Sequence, residues 1–287
     1  YVLTISGTSH EVTGVTNPAS VTSARGFRLA RAGHLPSAAT AMTLSFPPTT
    51  PGNRTTSPGG IGFAQGSIST AGLVPLVGTL GDGQTFTASL NLGQTDQAVV
   101  WLTPYKIKSS YVGGIMTLAT PATPDRGLPS TAASSFLRWD RVRDPSSLSY
   151  PAGFRVQLNT LSSRWVPAAN AATLAESLGL YYRSIHLSYI APTNDVLPSY
   201  LSLRDGFGLL SISPSNAVPF TAGKAVGTDG TFSGTLKLTA PALVSPMNGV
   251  FLQDPSTGFT IGQGLIRVPI ASPVKGSFQT FGVELQN

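Results

Sequence analysis

The chain has 287 residues, enough to bury a substantial core in one large β-domain or two smaller ones. Only 10% of residues are charged, against roughly 25% in ordinary soluble domains, and no uninterrupted apolar run approaches the roughly 20 residues of a spanning helix. The formal charge is +6, and the absence of cysteine excludes disulfides, cysteine-ligated zinc, iron–sulfur clusters and thiol catalysis.

Taken in order, Tyr1–Ile5 reads as a strand with no initiator Met, basic region or signal-peptide core before it. That start is expected of a processed protein or an excised portion of a larger one. Short apolar bursts follow at Gly26–Ala30 and Met42–Phe46, and Pro47–Gly60 reads as an exposed loop. Its Asn53-Arg54-Thr55 matches the glycosylation sequon, a match read as chance. A meander is expected next, from Gly62–Ile68, Leu73–Leu80, Thr85–Leu92, Ala98–Leu102 and Tyr111–Leu118, with turn signals between them.

One phrase occurs twice. Val77-Gly78-Thr79, Asp82-Gly83 and Thr85-Phe86 lead into an alternating run ending at Leu92. Val226-Gly227-Thr228, Asp229-Gly230 and Thr231-Phe232 lead into another ending at Leu238. Asp-Gly favours tight turns, so Asp82, Gly83, Asp229 and Gly230 are read as structural. The period of two places Phe86 and Leu90, or Phe232 and Leu236, on a buried face opposite Thr and Ser.

Between the copies, Ala119–Pro129 breaks the pattern. Strands resume at Phe136–Val142 and Phe154–Leu158, and alanine-rich Ala168–Leu178 is the one helix candidate, ended by Gly179. Further strands are expected at Leu180–Ile190, Tyr200–Leu203, Gly208–Ile212, Gly249–Leu252, Gly264–Val268 and Phe281–Leu285. The expected fold is all-β: two related antiparallel meanders forming sandwich-like or barrel-like modules, with at most one short helix. The modules are drawn at 1–120 and 136–287 around a linker-like 121–135, with one shared core as the alternative.

From Gly62 onward these words resemble β-rich repeat regions of large secreted or surface proteins of the Verrucomicrobia and Planctomycetes kind. The resemblance rests on Gly78–Thr87, Leu137-Arg138-Trp139, Ser149–Phe154, Gly230–Leu238, Val250–Gln253 and Gly258–Ile266. It implies an exported module at the cell surface or outside the cell, and it carries over no catalytic residue.

No catalytic constellation is read from the residues. His10 and Glu11 would point to opposite strand faces, His34 sits in a Gly/Pro-flanked loop, and His186 falls on a polar strand face. Asp82, Asp125, Asp144, Asp195, Asp205, Asp229 and Asp254 occur in turn contexts, without the spacing of a calcium loop. No metal, cofactor or nucleic-acid partner is expected. The densest charge cluster, Arg138–Asp144, reads as a strand or turn with local ion pairs.

The leading expectation is a non-catalytic exported bacterial protein for surface structure, adhesion or assembly with other subunits, including self-association through weakly charged edge strands. The alternative is a carbohydrate-binding module: Trp101, Trp139 and Trp165 are candidate sugar platforms, of which exposed Trp139, beside Arg138 and Arg141, and Trp165, beside Arg164, are singled out. Anionic surface polymers are a further partner class for the basic chain.

Overall fold

A computed structural model describes residues 2–5, 11–17, 20–27, 29–30, 35–50, 52–53, 56–93, 96–107, 109–118, 137–180, 184–190, 196–211, 220–239, 242–253, 260–270 and 276–286. The linker-like 121–135, His10, His34, Asp125, Asp195 and Asp254 lie outside them. The fold is all-β, with one short α-helix among the described residues.

β1 (Val2–Ile5), β2 (Glu11–Asn17) and β3 (Ser20–Phe27) form a three-stranded antiparallel sheet. A sandwich follows. Its first sheet takes β4 (Thr40–Phe46), β5 (Gly62–Ile68), β6 (Leu73–Thr79), β7 (Thr85–Asn91) and β12 (Leu161–Arg164), in the order β12-β4-β5-β6-β7. The second takes β8 (Gln97–Leu102), β9 (Tyr111–Thr117), β10 (Leu137–Arg141) and β11 (Phe154–Leu158) in sequential order. Strict alternation sends Val74 and Leu76 of β6, Phe86 and Leu90 of β7, and Ala98 and Val100 of β8 into a common core with Met42, Leu44, Trp139 and Leu158. The void left there is about 10 Å³ and wholly apolar, so the interior is packing and not a ligand chamber.

The remaining strands close an eight-stranded antiparallel barrel. They are β13 (Ser184–Ile190), β14 (Val196–Leu203), β15 (Gly208–Ser211), β16 (Phe220–Val226), β17 (Thr231–Thr239), β18 (Ala242–Phe251), β19 (Thr260–Pro269) and β20 (Phe278–Gln286). Each pairs with the next, and β20 returns to β13 through Leu187↔Leu285. Closure removes the free edges. Leu187, Leu201, Phe232, Leu236, Met247, Ile266, Phe281 and Leu285 belong to its buried core.

The helix α1 (Ala171–Ser177) starts at Asn170, whose side chain accepts from the Thr173 N–H, and ends at Gly179 with φ 65°. It adds Ala171, Leu174 and Ala175 to the barrel core. Just before it, Trp165 donates from Nε1 to the Gly227 carbonyl at the β16–β17 turn (3.0 Å).

The expected module boundary moves. Residues 137–164 belong to the first unit, because β10 pairs with β9 and β12 with β4, sending Leu137 and Trp139 into the sandwich core. The barrel core begins with Trp165, so the second unit does not start at 136. The two units also meet in a buried polar seam. Thr43 donates from Oγ1 to the Phe251 carbonyl (2.7 Å), and Ser45 bonds the Gln263 side chain. Gln263 in turn donates to Glu284 Oε1 (3.0 Å), and the Tyr150 hydroxyl accepts from the Thr280 N–H (3.1 Å). β4 is thus buried on both faces, with Met42, Leu44 and Phe46 toward one core and Thr43 and Ser45 toward the barrel.

Both copies of the repeated phrase make hairpins, β6–β7 and β16–β17. In each, an Asp Oδ1 accepts the backbone N–H two residues on: Asp82 from Gln84, and Asp229 from Thr231, both at 3.0 Å. Gly83 and Gly230 have φ of 85° and 74°. The Val-Gly-Thr words are not equivalent, since residues 77–79 end β6 whereas 227 and 228 lie in the turn after β16. The neighbours differ too. A Cβ on Gly83 would stand 3.4 Å from Arg267 side-chain atoms, an ordinary contact, but one on Gly230 would come within 2.7 Å of Thr43 and the Trp165 ring. Gly83→Ala is therefore expected to cost about 1 kcal/mol from left-handed strain, and Gly230→Ala roughly 2–4 kcal/mol because overpacking adds to it. Urea unfolding of both variants checks that order.

Candidate binding surfaces

The sandwich cannot close as the barrel does. β7 ends one sheet and β8 ends the other, and among the described residues a single bridge, Leu92↔Ala98, stands between them. From that bridge the two strands diverge, leaving a groove of about 370 Å³ lined by 85–90 on one side and 101–104 on the other. The backbone along the groove follows from the turn. Leu80 N–H donates to the Gln84 carbonyl, so the antiparallel alternation turns the backbone groups of Phe86, Ala88 and Leu90 toward β6. Those of Thr85, Thr87 and Ser89 face the groove. Pro75, which has no N–H, sits opposite Ser89 at a position that needs none.

An apolar outer surface borders this edge. Leu73 and Val77 of β6 and Val99 and Trp101 of β8 are exposed. Trp101 is 65% exposed and stacks on Tyr111 with ring centroids 4.6 Å apart and planes 16° apart. Its strand partner is Gly113, where a Cβ would come within 2.8 Å of the indole, so the absent side chain lets the ring lie close to β9.

The residues expected to carry a sugar platform are placed otherwise. Trp139 is 1% exposed and Trp165 2% exposed, with their rings against Phe154 and Phe251. An indole enclosed on this scale has no face to offer, which corrects the expectation of exposed Trp139 and Trp165. Arg138 and Arg164 are exposed, and Arg138 pairs with Asp140 (3.2 Å). Arg141 is 8% exposed and forms a buried ion pair with Asp82 (2.8 Å). His186 lies in β13 opposite Tyr200 and Gln286.

The Asp82–Arg141 pair is the centre of a network. Tyr105 donates its hydroxyl to Asp82 Oδ2 (2.7 Å) and accepts from Trp139 Nε1 (3.1 Å). Arg141 also bonds Ser147 and lies over the Tyr105 ring. Burial pushes the Asp82 carboxyl above the ordinary aspartate value, opposed by Tyr105, the Gln84 N–H and Arg141. Burial and the Asp82 charge raise Tyr105 well above an ordinary phenol, which keeps it the proton donor. The network ties the β6–β7 turn to β10 and leaves no reactive atom facing a cleft. Among the described residues there is no cluster suited to a metal ion, and no helix is long and apolar enough to cross a membrane.

A third surface lies between the units. Thr79, Gly83 and Thr85 from the first repeated phrase and Thr231, Phe232 and Ser233 from the second line one groove of about 380 Å³. Phe63, Asn248, Gly249, Leu265 and Arg267 complete it. Comparison of the chain with known protein families, with curated proteins and with solved structures gave no match.

Sequence reasoning counts Trp101 among the candidate sugar platforms without singling it out, and passes over Arg267. The alternation of Gln97–Leu102 does separate Val99 and Trp101 from Ala98, Val100 and Leu102, but both rows are apolar and neither names the wet face. Gly113 opposite Trp101 is visible only once the strands are in register. The two turn aspartates should separate in a stability measurement. Asp82→Asn leaves Arg141 buried without a counter-charge and is expected to cost about 3 kcal/mol or more. Asp229→Asn keeps its turn bond and should cost less than about 0.5 kcal/mol. Adding Arg141→Met to Asp82→Asn should recover part of the loss in the same denaturation assay.

Proposed function

We propose that this is a non-catalytic, exported bacterial β-protein that works at a surface by assembling with other protein subunits. The observation that carries the reading is the groove-facing edge of β7, where Thr85, Thr87 and Ser89 present backbone groups beyond the end of their sheet. Such an edge accepts an extended segment from a neighbouring subunit by strand addition, with main-chain hydrogen bonds supplying affinity and side-chain contacts supplying specificity. Trp101 stands on the opposite wall, where an added strand would cover apolar area that the isolated chain leaves wet. Among the described residues, none that lines the groove is charged. The resemblance to secreted surface proteins points to the same setting.

Light scattering after size-exclusion chromatography, with concentration varied, tests the assembly. The wild-type chain should associate as concentration rises. Thr87→Pro removes a groove-facing N–H without touching the β6 ladder, so it should weaken association by about tenfold or more while the barrel and sandwich stay folded. Trp101→Ala should weaken it as well. A chain that stays monomeric at every concentration, or a Thr87→Pro variant that associates like wild type, would sink the reading.

A further inference from the structure

The groove between the two hairpins has a composition that the β7 edge lacks. Its walls carry hydroxyls from Thr79, Thr85, Thr231 and Ser233, an amide from Asn248, and one guanidinium from Arg267. Hydroxyls and amides both donate and accept, as the hydroxyls of a sugar do. Phe63 and Phe232 supply apolar surface beside them. Arg267 lies over the Phe278 ring, 3.9 Å from its centroid, and among the described residues it makes no ion pair. The stacking fixes a long side chain that would otherwise lose much rotamer freedom on binding.

The turn chemistry builds this arrangement. Gly83 takes the left-handed conformation that the β6–β7 turn needs, and the Arg267 Cδ and Nε cross above it, 3.4 Å from where a Cβ would lie. On the facing wall, Thr231 donates its hydroxyl to Asp229 (2.7 Å), which leaves the Thr231 oxygen as an oriented acceptor. The groove volume of about 380 Å³ lies in the range of small-ligand sites, and junctions between folded units are where such sites concentrate.

We propose that this inter-unit groove binds a carboxylated oligosaccharide, with Arg267 pairing the uronate carboxylate and Ser233, Thr85, Thr231 and Asn248 bonding ring hydroxyls. A guanidinium matches a carboxylate through two parallel hydrogen bonds, which a bare hydroxyl cannot reproduce. The formal charge of +6 adds a long-range attraction for an acidic polymer. This site shares only Thr85 with the lining of the β7 groove and does not rest on the assembly reading.

The test is calorimetric titration of the full chain with a uronic-acid trisaccharide, its neutral hexose counterpart and sodium sulfate, at low salt. The acidic trisaccharide should bind, the neutral one about tenfold or more weaker, and sulfate should not saturate. Arg267→Gln should weaken the acidic sugar by about tenfold or more, Arg267→Lys should restore part of the loss, and Asn248→Ala should weaken it a few-fold. Thr87→Pro should bind as wild type does, which separates this site from the assembly edge. Circular dichroism confirms that each variant is folded. No binding of the acidic sugar, equal binding of the neutral one, equal competition by sulfate, or a folded Arg267→Gln variant with undiminished affinity would each overturn the proposal.

Discussion

A strand at the end of a sheet presents a row of backbone donors and acceptors, and every such row must be paired, covered or left for a partner. The two halves of this chain meet that constraint in different ways. In the barrel, β20 returns to β13 and the eight strands leave no end. In the sandwich, strands of the same up-and-down order form two sheets that touch through single bridges, Leu92↔Ala98 on one side and Pro48↔Leu158 on the other. The unclosed side at β7 leaves backbone groups facing a groove, and the proposed strand addition rests on that edge. The sandwich interior is filled by side chains, with a void of about 10 Å³.

The polar groups that the fold does bury are used to hold elements in place. Asp82, Arg141, Tyr105 and Trp139 bind the first Asp-Gly turn to β10, and Thr43, Ser45, Gln263, Tyr150 and Thr280 bind the sandwich to the barrel. An unpaired buried charge or hydroxyl is costly, so such networks favour one relative placement over nearby ones. That placement brings the two repeated hairpins to opposite walls of one groove. The repetition in the sequence is therefore not two copies of a site. It supplies two different walls, one with Gly83 beneath Arg267 and one with Thr231 and Ser233.

Much of the fold was legible. The period of two across Thr85–Asn91 and Thr231–Lys237 is the alternation that the structure buries, and the Asp-Gly turns take the conformations those residues favour. Asn170 and Gly179 bound the one helix as cap chemistry directs. The module boundary was not legible, because the pairing of β10 with β9 joins strands on opposite sides of residues 119–136 and no local pattern encodes it. The aromatic surface was misread for a related reason. Trp139 and Trp165 have arginine neighbours in sequence, but the register turns both indoles inward, whereas Trp101, set among apolar residues, faces out.

By itself, then, the sequence determined the class of structure, the hairpin turns, the helix and the inward row of each signature strand, because these depend on backbone preferences and on contacts a few residues apart. Tertiary structure alone decided that one half closes and the other stays open, that Arg141 is buried against Asp82 fifty-nine residues away, and that Arg267 crosses above Gly83. Those outcomes depend on which sheet edge meets which, and that is fixed by the packing of whole layers, beyond the reach of any local spacing.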